Sequence, residues 1–272
     1  MNGLNRAAAS LVGLACFPML ALGVVITQEL GEVGKAKDKM IMYVNNGKIR
    51  VEQNDARGGK TIMIFDGDKQ VLWMIQQDQG TYMEMTQATV AEMGQMAGQA
   101  NAQMAQAMKE LQNLPPEQRA MAEQMMKGRM GAMGGAPPAA PTITFKAKGS
   151  DRSGSFTCTK YDELSNGSRT AEICAAPFDQ IHITAADRKT FEAMGKFFEP
   201  LARMAPRAAF RALRTEEING FPVHTVSYNG DTPAYETTVL SAEQKSIDAG
   251  LFTLPPGLKR SEERRVGKEC RL

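Results

Sequence analysis

The sequence is poor in the residues that most catalysis and metal binding depend on. Two His, one Trp, four Cys and 6% aromatic residues in a chain of 272 leave little room for His-centred acid–base chemistry or a His/Cys metal site. Charge of one sign is also lacking: 32 basic against 30 acidic residues give a net +2. That balance provides neither the basic field that nucleic acid requires nor an acidic tail. The common enzyme signatures are absent as well, with no G-x-S-x-G elbow, no H-E-x-x-H and no phosphate-binding loop. What the chain has in excess is methionine, 19 in all.

The two ends read differently from the middle. Residues 1–23 carry Arg6, an apolar run over 7–20 and small residues at Ala21-Leu22-Gly23, the pattern of a secretory signal cleaved just before Val24. Lipidation at Cys16 is the weaker reading, since Gly13-Leu14-Ala15 lacks the usual aliphatic residue three places upstream. The run is too short and interrupted for a membrane span. Residues 260–271 match, residue for residue, an in-frame translation of sequencing-adapter DNA, and 260–272 are expected to be an artefact. Without both ends the balance is 26 basic to 27 acidic residues. The expected location is periplasmic, or secreted, in a Gram-negative bacterium.

Between the ends the signal is β, then helix, then β. Val24–Thr27, Lys39–Gln53 folded about Asn45-Asn46-Gly47, Thr61–Phe65, Val71–Ile75 and Tyr82–Thr86 read as strands. A three-residue loop in the first hairpin would set Val44 opposite Lys48, Tyr43 opposite Ile49 and Ile41 opposite Val51. From Gln87 to Leu114 the period becomes helical, with Met93, Met96, Met104 and Met108 on one stripe. Pro115-Pro116 opens a second Met-rich stretch and 134–141 is a Gly/Ala/Pro linker, making 87–141 a Met-rich helical insert. Strand signals resume at Thr142–Ala147, Ser155–Glu163, Arg169–Ala175, Phe221–Tyr228 and Tyr235–Leu240, with a helical region over Thr184–Phe210 broken at Pro200 and Pro206. Counting outward from Asn166 sets Cys158 opposite Cys174, and with an export signal that predicts a disulfide. Asp66, Asp68 and Asp162 read as solvated turn or hairpin residues, and His182 and His224 as strand residues rather than ligands.

Several stretches together carry a family resemblance: Met42-Tyr43-Val44-Asn45-Asn46-Gly47-Lys48-Ile49-Arg50-Val51-Glu52, Ile64-Phe65-Asp66-Gly67, Thr81-Tyr82-Met83-Glu84-Met85, Cys158-Thr159-Lys160-Tyr161, Gly220-Phe221-Pro222-Val223 and Leu251-Phe252-Thr253-Leu254-Pro255-Pro256-Gly257. Over about residues 24–259 the chain resembles the exported bacterial family called domain of unknown function 4412, related in shape to the lipoprotein carriers LolA and LolB. The Met-rich insert and Cys174 depart from that pattern. The resemblance implies an α+β fold in which a curved antiparallel half-barrel sheet has helices covering its concave face, with acyl chains held between the two.

The expected function is accordingly that of a non-enzymatic binding protein for a hydrophobic ligand, either a lipid or a lipidated partner protein, with no cofactor, no nucleic acid and contact with a membrane surface. Ile62, Ile64, Phe65 and Trp73 would line the floor of the site, and Met93, Met96, Met104 and Met108 would form a lid that repacks around apolar groups. The alternative is an envelope interaction or Cu(I)-handling module acting through the insert, where Met121, Met125, Met126 and Met130 could converge as thioether ligands.

Overall fold

The computed structural model describes residues 22–54, 59–112, 115, 142–201 and 217–261. These form an α+β fold: one open sheet of twelve strands and two helices. The strands are β1 (Leu22–Glu32), β2 (Asp38–Asn45), β3 (Lys48–Asn54), β4 (Lys60–Asp66), β5 (Val71–Gln76), β6 (Thr81–Thr86), β7 (Ile143–Ser153), β8 (Phe156–Ser165), β9 (Ser168–Ala176), β10 (Phe221–Asn229), β11 (Thr232–Ser246) and β12 (Lys259–Arg260). Helix α1 (Gln87–Gln112) follows β6 and helix α2 (Ala185–Phe198) follows β9. The spatial order β12-β6-β5-β4-β3-β2-β1-β11-β10-β9-β8-β7 joins two meanders through the long β1–β11 pair. All neighbours are antiparallel except the two-residue β12, which runs parallel to β6.

Local chemistry explains the corners. Asn46 and Gly47 both have positive φ, 47° and 73°, as do Asn166 and Gly167 at 50° and 84°. Two consecutive left-handed residues make the tight hairpin turn whose twist matches that of paired strands. The loop after β2 therefore has two residues rather than three, and the expected register shifts by one: Asn45 faces Lys48, Val44 faces Ile49, Tyr43 faces Arg50 and Met42 faces Val51. Because side chains alternate between faces, that shift moves the apolar set Met42, Val44, Ile49 and Val51 onto one side together. Helix α2 begins at a reciprocal cap, in which Asp187 N–H donates to Thr184 Oγ1 at 3.2 Å and Thr184 N–H donates to Asp187 Oδ2 at 2.9 Å. Helix α1 begins where Thr89 N–H donates to Thr86 Oγ1 at 3.2 Å.

The main core lies between the sheet and the helices. Phe191, Met194 and Phe197 of α2 and Val90 of α1 are buried there with Val24, Ile26, Val44, Ile49, Phe65, Leu72, Phe221 and Val223. Edge-to-face aromatic pairs connect the layers, Phe65 to Phe197 at 5.5 Å and Phe191 to Phe221 at 5.9 Å. Gly94 has a packing role in α1: a Cβ there would lie 2.7 Å from Pro200 Cβ, so glycine lets the helix meet the turn that follows α2. The opposite face of β3–β5 is covered by the C-terminal segment, with Ile247, Leu251, Phe252, Leu254 and Leu258 packed on Ile62, Ile64, Val71, Trp73 and Ile75. Leu22 and Gly23, within the proposed leader, are the first residues of β1, and a Cβ on Gly23 would lie 2.5 Å from Ile247 Cδ1. At the other end Ser261 N–H donates to Tyr82 O at 2.8 Å. Cys158 and Cys174 form a disulfide with Cα atoms 5.4 Å apart. The two are not directly opposed: the two-residue turn at Asn166 and Gly167 shifts the expected register by one, and an irregularity between Glu163 and Leu164 shifts it by one more, so that Cys174 lies opposite Lys160.

Candidate functional site

Strand register organises the helix-facing side of β2–β6 into rows. Val44, Ile49, Phe65, Leu72 and Met85 form one continuous cross-strand row, and all five are buried. Two residues further along each strand, on the same side, lie Met42, Val51, Met63, Met74 and Met83. Met42 is buried and the other four are half-buried, packed against the main core from its margin. The next row is Met40, Gln53, Thr61, Gln76 and Thr81, which is mostly polar and reaches the surface. The sheet thus passes from dry to wet across three rows, and the middle row is built largely of methionine. Met93 of α1 packs against the same core, while Met96 is 63% exposed.

This arrangement separates residues that the sequence reading grouped. Of the four expected floor residues only Phe65 faces the helices. Ile62, Ile64 and Trp73 lie on the opposite face beneath the C-terminal segment, because residues of one parity in β4 share a face and Trp73 is paired with Ile64. Trp73 donates its indole N–H to Glu84 Oε2 at 2.9 Å, and Glu84 pairs with Arg260 at 3.1 Å. Met104 and Met108 lie on α1 as expected, but their side chains are outside the described part. Met121, Met125, Met126 and Met130 lie outside the described residues. Met63, Met74 and Met83 were missed, since they come from three different strands and only the register aligns them; alternation from Phe65 would have pointed to Met63.

The covered face has a polar latch. Arg50 is 6% exposed and donates to Glu52 Oε1 at 2.7 Å and to Leu251 O at 2.7 Å. Lys60 reaches the second oxygen of Glu52 at 2.8 Å. Burial pushes the Glu52 carboxyl up, but hydrogen bonds from Lys60 and Arg50 outweigh that and hold it below the ordinary carboxylate range. Two carboxylates expected to be solvated are not: Asp66 is 1% exposed and pairs with Lys48 at 2.8 Å, and Asp162 is 8% exposed and pairs with Lys148 at 3.2 Å. Asp66 also accepts from Lys69 N–H at 3.1 Å; burial raises its pKa, and the Lys48 and Lys69 contacts lower it further than burial raises it. Both positions end up inside the sheet, with a lysine ammonium against one carboxylate oxygen. His224 is on β10, 3.6 Å from Glu236. His182 is not on a strand; it caps a short helical turn in a left-handed conformation, φ 57°. Among the described residues no group of three or more His, Cys, Asp or Glu could hold a metal ion, and no helix is long and apolar enough to cross a membrane.

The fold and site therefore define an open antiparallel sheet with two helices on one face and a methionine-lined margin between them. Residues 91–258 match the family model for a domain of unknown function, DUF4412, and the chain belongs to that family. No curated protein matches the chain. Among solved structures it is similar to an uncharacterized conserved protein from Thermus thermophilus, at 8% identity and a TM-score of 0.42, with 89% of this chain and 91% of that one covered.

Proposed function

We propose that the protein is a non-enzymatic, exported carrier or receptor for a hydrophobic ligand, a lipid or a lipidated protein, held between the sheet and the helices in the manner of the LolA and LolB carriers. The observation that carries this reading is the half-buried row of Val51, Met63, Met74 and Met83. It is contiguous with the buried core on one side and open to the polar row on the other. Unbranched, polarizable side chains at such a boundary repack around acyl chains at low cost, and the exposed Met96 on α1 extends the apolar margin. The Cys158–Cys174 disulfide supports an oxidising compartment after export.

Native mass spectrometry with solvent extraction, applied to the protein purified from a bacterial periplasm, tests the reading. The expected result is a retained lipid mass that Met74→Lys removes, because a charge in the middle of the row cannot be buried with an acyl chain, and that Met74→Leu keeps. A bare polypeptide mass for the parent chain, unchanged by lipid addition, would overturn it.

A further inference from the structure

We propose that Met63, Met74 and Met83 form a thioether site for a soft monovalent cation, Cu(I) or its analogue Ag(I), on the sheet itself. The three residues sit on adjacent strands β4, β5 and β6, directly opposed in unbroken register, Met63 to Met74 and Met74 to Met83. Directly opposed side chains in antiparallel strands have Cβ atoms about 4.5–5.5 Å apart. The outer pair is therefore separated by about 10 Å at the backbone, two strand spacings. Methionine has three rotatable bonds and no branch, so the outer two sulfurs can turn inward toward the central one from either side.

The surroundings select the class of ion. Along each strand the neighbours on this side are Phe65, Leu72 and Met85 inward and Thr61, Gln76 and Thr81 outward. None is ionised, so a hard divalent ion would lose its hydration without a compensating carboxylate, whereas neutral thioethers suit a soft monovalent ion. The row is half-buried, with apolar packing on one side and the exposed Thr61 and Gln76 on the other. The inference does not rest on the hydrophobic-ligand reading: it needs the sulfur atoms as donors to an ion, and that reading needs the flexible apolar side chains as a packing surface.

The test is a titration of the full-length chain with Ag(I), followed through 13C-labelled methionine ε-methyl signals. Cys16→Ser and Cys270→Ser are included so that no free thiol competes, and single Met→Leu variants assign the signals. The expected result is that one equivalent shifts the Met63, Met74 and Met83 methyls together, and that Zn(II) shifts none of them. In competition with a chromogenic Cu(I) chelator, Met63→Leu/Met74→Leu/Met83→Leu should lose at least tenfold in affinity. Its unfolding midpoint should stay near that of the parent, since leucine nearly preserves volume and apolarity. Shifts confined to other methionines, or an unchanged affinity in the triple variant, would overturn the proposal, and so would no displacement of the chelator by the parent.

Discussion

The two faces of β3–β5 are built from the same strands yet finished in opposite ways. One face carries Ile62, Ile64, Val71, Trp73 and Ile75, all buried. It is covered by the C-terminal segment and fastened by Arg50 to Leu251 O, by Lys259 N–H to Gly80 O at 2.9 Å and by Ser261 N–H to Tyr82 O. The other face carries Val51, Met63 and Met74 at its margin, half-buried and packed against the main core. Branched and aromatic side chains with few rotamers suit the permanent cover; flexible thioethers suit the margin. The contrast is between a face buried throughout and one whose buried core ends in a half-buried margin.

The largest expected effect probes the covered face. Ile64→Ala, at a fully buried position, should cost about 3–4 kcal/mol in urea unfolding. A loss below about 1 kcal/mol would mean that the C-terminal cover collapses into the cavity and that the two faces do not differ in kind. Replacing both cysteines by serine should cost about 3 kcal/mol, from the loop that the disulfide closes. Because the bridge ties β8 to β9 and its cysteines belong to the main core rather than to the cluster that holds Ile64, the cost of Ile64→Ala measured in that background should be the same.

Arg50→Met removes the latch while keeping most of the side-chain volume. It leaves Glu52 with Lys60 alone and Leu251 O without its side-chain donor, and should cost about 2 kcal/mol. Hydrogen exchange should speed up at Lys259 and Ser261 but not in α2; equal acceleration in both would break the comparison. Acid should act in the same direction. Glu52 and Asp66 titrate below their ordinary values in the folded protein, so their stabilisation is present above the unfolded carboxylate pKa of about 4 and is lost as pH falls through the lower folded values. The unfolding temperature should be flat from pH 7 to 5 and drop below about pH 4, and that drop should be shallower in Glu52→Gln. The smallest effect belongs to the open margin, where Met74→Leu should change stability by less than about 1 kcal/mol.

Much of the fold was legible because its signals are local. The two Asn-Gly turns, the helical period after Gln87, the helical region from Thr184 and the cysteine pair each depend on residues close in sequence. The registers were less legible. A two-residue turn differs from a three-residue one only in backbone angles at Asn46 and Gly47, yet it moves every partner of β2 by one. The two-residue turn at Asn166 and Gly167 and the irregularity at Glu163 and Leu164 together move Cys158 off the position directly opposite Cys174 without preventing the bond. Asp66 and Asp162 read as solvated because nothing nearby in sequence announces the Lys48 and Lys148 that neutralise them; those partners lie 18 and 14 residues away.

Residue order alone was enough to tell where most of the strands and the two helices begin and that two cysteines would join. Which side of each strand the helices cover was settled by packing in three dimensions. Alternation separates Phe65 from Ile62 and Ile64 but does not say which of them faces α2, since both sets are apolar enough to be buried. That choice rests on contacts between segments far apart in the chain, Phe65 with Phe197 on one side and Arg50 with Leu251 on the other. It also aligns Met63, Met74 and Met83 from three separate strands into a single row.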